Sequence, residues 1–425
     1  MMFTVNRRRR TSANRRYLAY LFAFLLIITM QTVYVKIYNT SWDVVLNAFL
    51  VLVSMVLVAR DGRLIVEPLT AKVICVQAVI FTLIPVLQLL FLESVNFQAL
   101  FLVSALCIVL FSVCVIYIRE IGIRFFLDDL ASLIYVVTVI SFVLYLFGQV
   151  LHIIHPSGSI TIEWGGARVI DNYYFLLFVP QGESYHAFVN GRYSGIYTEP
   201  PMCAYMICVA LIIMLFISEK KIKYGRIVLL CVAVFFTVST TGWIVCTLCI
   251  GFHLLFLKPK TKLCSSIRMV FIPILIIAAI YTVISLYQRK QVSDVGSVSV
   301  RNDNFVSAID NFFDSPLFGL GFKSDAIGVT QGNTSVISNV LQQGGFLFFV
   351  WYFLPIICSF ILFVLRKKWR YVIATGLYMM LLYATVVTYT AFSIAMIAVF
   401  TVVLINENYE SYKYIFGRQP ERKIK

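Results

Sequence analysis

The sequence predicts an all-α integral membrane protein: a single polytopic domain over 1–425 with about twelve transmembrane helices, both termini cytoplasmic and two long loops on the opposite side. Three observations carry that prediction. The chain is 60% hydrophobic and 13% charged, with a mean hydropathy of +0.89; a water-soluble domain needs far more polar surface. Apolar runs of about 20 residues, the length that crosses a ~30 Å hydrocarbon core, recur along it. The basic residues fall between those runs in short clusters rather than on one face. That placement excludes nucleic acid as a partner and makes the lipid bilayer the solvent.

Taken in order, the first run starts after Arg7 to Arg10, Arg15 and Arg16. It is too long for a signal-peptide core and lacks a small-residue cleavage site, so it reads as an uncleaved first span. Spans are expected near 17–36, 42–59, 71–92, 97–118, 131–153 and 200–217, then near 226–239, 241–257, 268–287, 345–365, 371–387 and 389–405. The runs 226–257 and 371–405 are each too long for one crossing. Ser239-Thr240-Thr241-Gly242 and Thr388-Tyr389-Thr390 are the expected breaks. With both runs split, 28 of the 35 Lys and Arg share the side of the termini, as the positive-inside rule requires. One span in place of the first pair would turn the later clusters outward.

Ten cysteines lie almost entirely in apolar runs, none in a long loop, which argues against a disulfide framework. Cys246 and Cys249 form a CxxC within a span and read as buried core thiols. Asp128-Asp129 falls on the cytoplasmic side and reads as a solvated pair; no metal site and no cofactor is expected. Nor is any internal repeat visible, which weakens a transporter built from repeated halves.

The two exported loops, 154–199 and 288–344, are long enough to be functional. The first ends in Arg192-Tyr193-Ser194-Gly195-Ile196-Tyr197-Thr198-Glu199-Pro200-Pro201 before a helix. Pro opens helices readily, and Glu199 there meets the positive end of the helix dipole. The alternative is a reactive carboxylate held at the membrane surface near Arg192. The second loop carries Arg289, Lys290 and Arg301, then an amphipathic helix over 303–314 with Phe305, Ile309, Phe312 and Phe313 on one face. Pro316-Leu317-Phe318-Gly319-Leu320-Gly321 follows as an apolar turn. Arginines in such loops suit a phosphate clamp, because the planar fork makes paired, charge-assisted bonds to phosphate oxygens.

Three segments, best over about 190–350, resemble the O-antigen polymerase (Wzy-type) and O-antigen ligase superfamily. They are Arg192 to Pro200, Ser239 to Gly242, and Arg301 with Pro316 to Gly321. The resemblance implies action on undecaprenyl-diphosphate-linked oligosaccharides at the outer face of the bacterial cytoplasmic (inner) membrane. Polymerases of the superfamily transfer the growing glycan onto the next lipid-linked repeat unit, in pathways for O-antigen, capsule or exopolysaccharide. Ligases pass finished glycan to another acceptor and use a second-loop histidine. Here that loop has none: the four histidines are His152, His155, His186 and His253. The polymerase branch is therefore expected.

On that reading Arg192 and Arg301 bind the diphosphate, Glu199 is the general base, and Tyr197, Arg289 and Lys290 position substrate. A chain-length regulator is a candidate protein partner. A ligase of the same superfamily is the first alternative. The second is a lipid-linked oligosaccharide flippase or other transporter, disfavoured because the spans are nearly free of charge.

Overall fold

A computed structural model describes residues 13–59, 67–91, 97–164, 166–180, 191–256, 306–321, 335–385 and 387–415. Its helices are α1 (Ala13–Ile28), α2 (Trp42–Ala59), α3 (Pro68–Phe91), α4 (Phe97–Ile121), α5 (Ile123–Tyr145) and α6 (Pro200–Ile212). There follow α7 (Tyr224–Phe236), α8 (Thr240–Phe256), α9 over 306–314, α10 (Val336–Leu365), α11 (Trp369–Ala384) and α12 (Ala391–Ile415). Among the described residues six helical stretches are long and apolar enough to cross a bilayer: Trp42–Ala59, Pro68–Phe91, Leu100–Ile121, Ile123–Val150, Pro200–Ile217 and Val336–Leu365. The remaining apolar helices are shorter. The chain is a mostly helical, multi-pass membrane protein.

Both overlong runs are interrupted at the expected places. Val238 between α7 and α8, and Tyr389 between α11 and α12, have left-handed backbone with φ of 50° and 53°. Ser239 Oγ accepts from Gly242 N (3.3 Å) at the start of α8, and Thr390 Oγ1 accepts from Ser393 N (3.3 Å) at the start of α12. Each break therefore supplies its own N-cap, satisfying a helix-start donor that lipid cannot. The expected span 268–287 lies outside the described residues.

A span end and a side-chain reading also differ from expectation. The first span was placed over 17–36, yet α1 ends at Ile28: Thr32 Oγ1 donates back to the Ile28 carbonyl, Gln31 turns left-handed, and Val33–Val35 is a short 3-10 turn. Asp128 is not solvated. It lies within α5, its side chain 12% exposed, 3.2 Å from Lys220 Nζ.

The all-α expectation needs correction within the expected loop 154–199. Residues Gly158–Glu163 (β1), Ala167–Tyr173 (β2) and Leu177–Pro180 (β3) form an antiparallel sheet in the order β1-β2-β3. Ile160 pairs with Ile170, and Ile170 with Pro180. Ile162, Ile170 and Phe178 pack with Val33 from the segment after α1 as a small separate core, with Tyr34, Ile160 and Trp164 around it. Backbone bonds from Tyr38 N to Thr161 O (2.9 Å) and from Glu163 N to Lys36 O (2.8 Å) tie that segment to β1. The sheet was missed because its apolar alternation is short and belongs to two distant pieces of chain.

Inside the bundle, α6 is almost wholly enclosed. Every residue from Met202 to Ile212 is buried, and α5, α7, α8 and α11 surround it. A helix apolar all round belongs in a core rather than against lipid. Gly242 makes one approach possible: a Cβ there would stand 2.8 Å from the Ala204 Cβ on α6.

Candidate functional site

The segment 191–199, which leads into α6, is the meeting point of three parts of the molecule. Tyr193 is fully buried, its hydroxyl 2.7 Å from Ser141 Oγ on α5 and its N–H donating to Phe236 O (3.0 Å) at the end of α7. Ser194 Oγ donates to Phe178 O (2.6 Å), and Phe178 N to Gly195 O (2.8 Å), so β3 is bonded to this segment. Val33 N donates to Ile196 O (3.0 Å), and Thr198 N to Gln31 O (3.1 Å). Gly195 has φ 59°, and a Cβ there would stand 3.3 Å from Cys203 Sγ. Glycine is the residue that accepts this turn and this contact.

Arg192 is half-buried and turned toward the α7–α8 break. Its Nε donates to Thr237 O (3.0 Å) and Nη2 to Val238 O (3.2 Å). These carbonyls stand where the helix ladder stops, and a guanidinium fork satisfies two at once. Two of the three segments singled out in the sequence thus meet through one side chain.

Glu199 takes the N-cap position of α6, with φ −144° and ψ 150°, and Pro200 at the first helical position. Its side chain makes no capping bond. It is directed instead at Arg168 on β2, with Nη1 to Oε1 at 3.5 Å and the two side chains 50% and 31% exposed. Sequence reading missed Arg168, because only the unforeseen sheet brings β2 over the start of α6. Tyr197, by contrast, is buried, and its hydroxyl's pKa is pushed well above the ordinary value, mainly by that burial. Its phenol is neutral at physiological pH, and any positioning it does runs through packing.

The turn after α9 is built into α10. The helix is interrupted at Gly345 (φ 61°, ψ −162°), which is where sequence reading began the span. Leu320 N donates to Gln342 O (2.8 Å), Gly321 N to Gln343 O (3.0 Å), Phe346 N to Pro316 O (2.8 Å) and Leu347 N to Leu317 O (3.4 Å). Gln88 Nε2 on α3 also donates to Gln343 O (3.0 Å) and to Phe318 O. A Cβ on Gly319 would come within 2.5 Å of the Gln343 carbonyl carbon, and one on Gly345 within 2.6 Å of Gly319 N. The glycines therefore permit backbone to lie against backbone.

Contacts at the same end of the bundle join these parts. Thr198 Oγ1 donates to Gln31 O (3.1 Å), Thr390 Oγ1 lies 3.3 Å from Met30 Sδ, and Asn339 Nδ2 donates to Thr388 Oγ1 (3.0 Å). The end of the first loop and the start of α10, which closes the second, are linked through the ends of α1 and α11. Arg289, Lys290 and Arg301 lie outside the described residues, as do residues 303–305 of the expected amphipathic helix; its described part is helical over 306–314. Among the described residues no three His, Cys, Asp or Glu side chains converge as metal ligands would.

Comparison with known proteins gives one family. Residues 226–344 match the family model described as O-antigen ligase. That stretch includes the α7–α8 break, α9 and the turn against α10; the segment Arg192–Glu199 precedes it. No curated protein and no solved structure matches. Residues 226–344 are thus similar to the O-antigen ligase family, which supports the O-antigen ligase/polymerase superfamily for this mostly helical, multi-pass membrane protein.

Proposed function

We propose that the protein is a polysaccharide repeat-unit polymerase. In this reading it transfers undecaprenyl-diphosphate-linked glycan onto the next lipid-linked repeat unit at the outer face of the cytoplasmic membrane. Twelve spans with both termini cytoplasmic put both long loops at that face. The observation that carries the chemistry is Glu199: a partly exposed carboxylate, without a capping bond, at the start of the enclosed helix α6 and facing an arginine. The match to the O-antigen ligase family supports this substrate class. The polymerase branch rests on the second loop, which has no histidine between 288 and 344.

The acceptor sugar hydroxyl attacks the anomeric carbon of the donor glycan. Its oxygen forms the new glycosidic bond while the bond from that carbon to the diphosphate oxygen breaks. The electron pair leaves with undecaprenyl diphosphate, and Glu199 takes the hydroxyl proton. A positioned base contributes ~10²–10⁴ in rate. Arg192, with two donors fixed by the break, and Arg301 stabilise charge developing on the diphosphate; losing one such donor costs ~10²–10³. Arg289, Lys290 and the buried Tyr197 help position the substrate.

The test is to incubate purified protein with lipid-linked repeat units in detergent, where transport cannot be scored. A ladder of longer lipid-linked glycans is expected, together with its loss in Glu199→Gln. Absence of any product from the parent protein would return the flippase reading. Transfer to lipid A-core but not to repeat units would identify a ligase.

A further inference from the structure

The hairpin between β2 and β3 closes through Tyr174, Phe175 and Leu176, three large apolar residues exposed by 58%, 56% and 45%. Leu176 N donates to Tyr173 O (3.0 Å), and Tyr174 and Phe175 both have left-handed φ, 55° and 60°. This is the I′ type of turn, for which Asn-Gly is the usual pair and bulky side chains are rare. Two aromatics here are therefore unexplained by the turn itself.

Their surroundings explain them. Along α5 and its continuation, Val136, Ile140, Val143, Phe147 and Leu151 are exposed at helical spacing, and Ile153 follows. On a membrane helix that stripe is the lipid-facing one. The hairpin stands on its exported end: Gln149 Nε2 donates to the Tyr173 hydroxyl (2.7 Å), and Tyr174 N to Ser157 Oγ (3.0 Å). Tyr173 is buried, while Tyr174, Phe175 and Leu176 at the tip are exposed, as is the apolar stripe of α5. Tyr34 fixes the tip further by donating its hydroxyl to the Phe175 carbonyl.

We infer that Tyr174, Phe175 and Leu176 insert into the outer leaflet of the bilayer and anchor the exported sheet to phospholipid at the level where α5 leaves the membrane. Aromatic side chains favour that boundary. The anchor sets the depth of β2, and hence of Arg168 beside Glu199. The lipid contact stands without the polymerase reading; its use in presenting a lipid-linked diphosphate rests on that reading.

Photo-crosslinking of the full chain tests it. A benzophenone amino acid replaces Phe175, and the protein is placed in nanodiscs of phosphatidylethanolamine and phosphatidylglycerol, irradiated and analysed by mass spectrometry. The expected product is an adduct on a phospholipid acyl chain. The same probe at Ala167, ~20 Å away at the other end of β2, should give little. Adducts only to protein, no lipid adduct, or equal lipid adducts at both positions would overturn the inference. A second arm moves the probe to Leu176 in a Tyr174→Asn, Phe175→Gly background, which keeps the turn and removes the aromatics. Lipid adduct should fall ~10-fold, given the apolar area withdrawn. An unchanged yield would also overturn the inference, and neither arm requires catalytic activity.

Discussion

Substituting Gly345 by alanine tests whether the turn after α9 is held by backbone contact alone. The new Cβ would lie 2.6 Å from Gly319 N and from the Leu317 carbonyl carbon, and 2.7 Å from the Leu317 oxygen. All three are backbone atoms, so no side chain can rotate away. The backbone angles, φ 61° and ψ −162°, belong to a region nearly reserved for glycine, and holding another residue there costs ~1–3 kcal/mol. Overpacking adds ~1–3 kcal/mol. The four backbone bonds joining the turn to α10 contribute ~0.5–1.5 kcal/mol each. The penalty is thus comparable with the contribution of those four bonds, and the turn should loosen from α10 even though Gln88 still bridges the two. Hydrogen exchange of the protein in detergent should show amides of Leu320, Gly321 and Phe346 exchanging at least ~30-fold faster, the equivalent of ~2 kcal/mol. Gly376→Ala is the control, because its Cβ would meet its nearest neighbour, Phe360, at 3.7 Å; inside α11 it should be neutral or stabilise by up to ~1 kcal/mol. Unchanged protection in Gly345→Ala would refute the account of the glycines as spacers.

Other substitutions separate joints from chemistry. Arg192→Lys keeps the charge but cannot bond both the Thr237 and Val238 carbonyls; polymer should fall, with faster exchange at the start of α8, and normal exchange would show that the fork does not brace the break. Arg168→Ala should lower thermal stability by no more than ~1 kcal/mol, since its ion pair with Glu199 is long and solvent-screened; a larger loss by calorimetry would mean the pair holds the sheet down. Glu407→Ala, at the buried carboxylate 3.0 Å from Arg366 and 3.8 Å from Lys368, should cost ~1–3 kcal/mol and leave the product ladder unaltered in length; a shortened ladder would tie that end of the bundle to catalysis. Tyr34, whose hydroxyl is pushed from 10.0 to about 12 by burial, keeps its contribution below pH 10 and loses it as pH rises toward 12. Protease cleavage of the hairpin should rise over that range in the parent but not in Tyr34→Phe.

The helices were legible where hydropathy and sterics agreed. The expected span 42–59 coincides with α2, and 200–217 with α6 and its π-helical extension to Ile217. The breaks at 237–239 and 385–390 were signalled by Ser and Thr, whose side chains do cap the following helices. The sheet was not legible, because part of its core, Val33 with Tyr34 against it, comes from more than 120 residues before β2. Nothing local says that a short alternating stretch will find such a partner. Arg168 was lost with it. The α10 interruption was half legible: Gly344-Gly345 marked an end, but the turn that docks there had to be seen.

The motif segments prove to be unequal in kind. Arg192 is joined to the carbonyls of the α7–α8 break, Gly242 lets α8 close on α6, and Gly319 and Gly345 let a turn lie against an interrupted helix. Each answers the same problem, since a helix that stops near lipid leaves donors and acceptors that the bilayer cannot satisfy. Motif residues of this sort are explained by the architecture alone. Glu199 is not: it occupies a capping position without capping, on a helix the bundle encloses, and turns toward the sheet. A rigid mounting combined with a carboxylate released from structural duty is the arrangement a general base requires. The case for Glu199 is accordingly stronger than for the arginine that precedes it, since Arg192 would be needed even if no sugar were ever transferred.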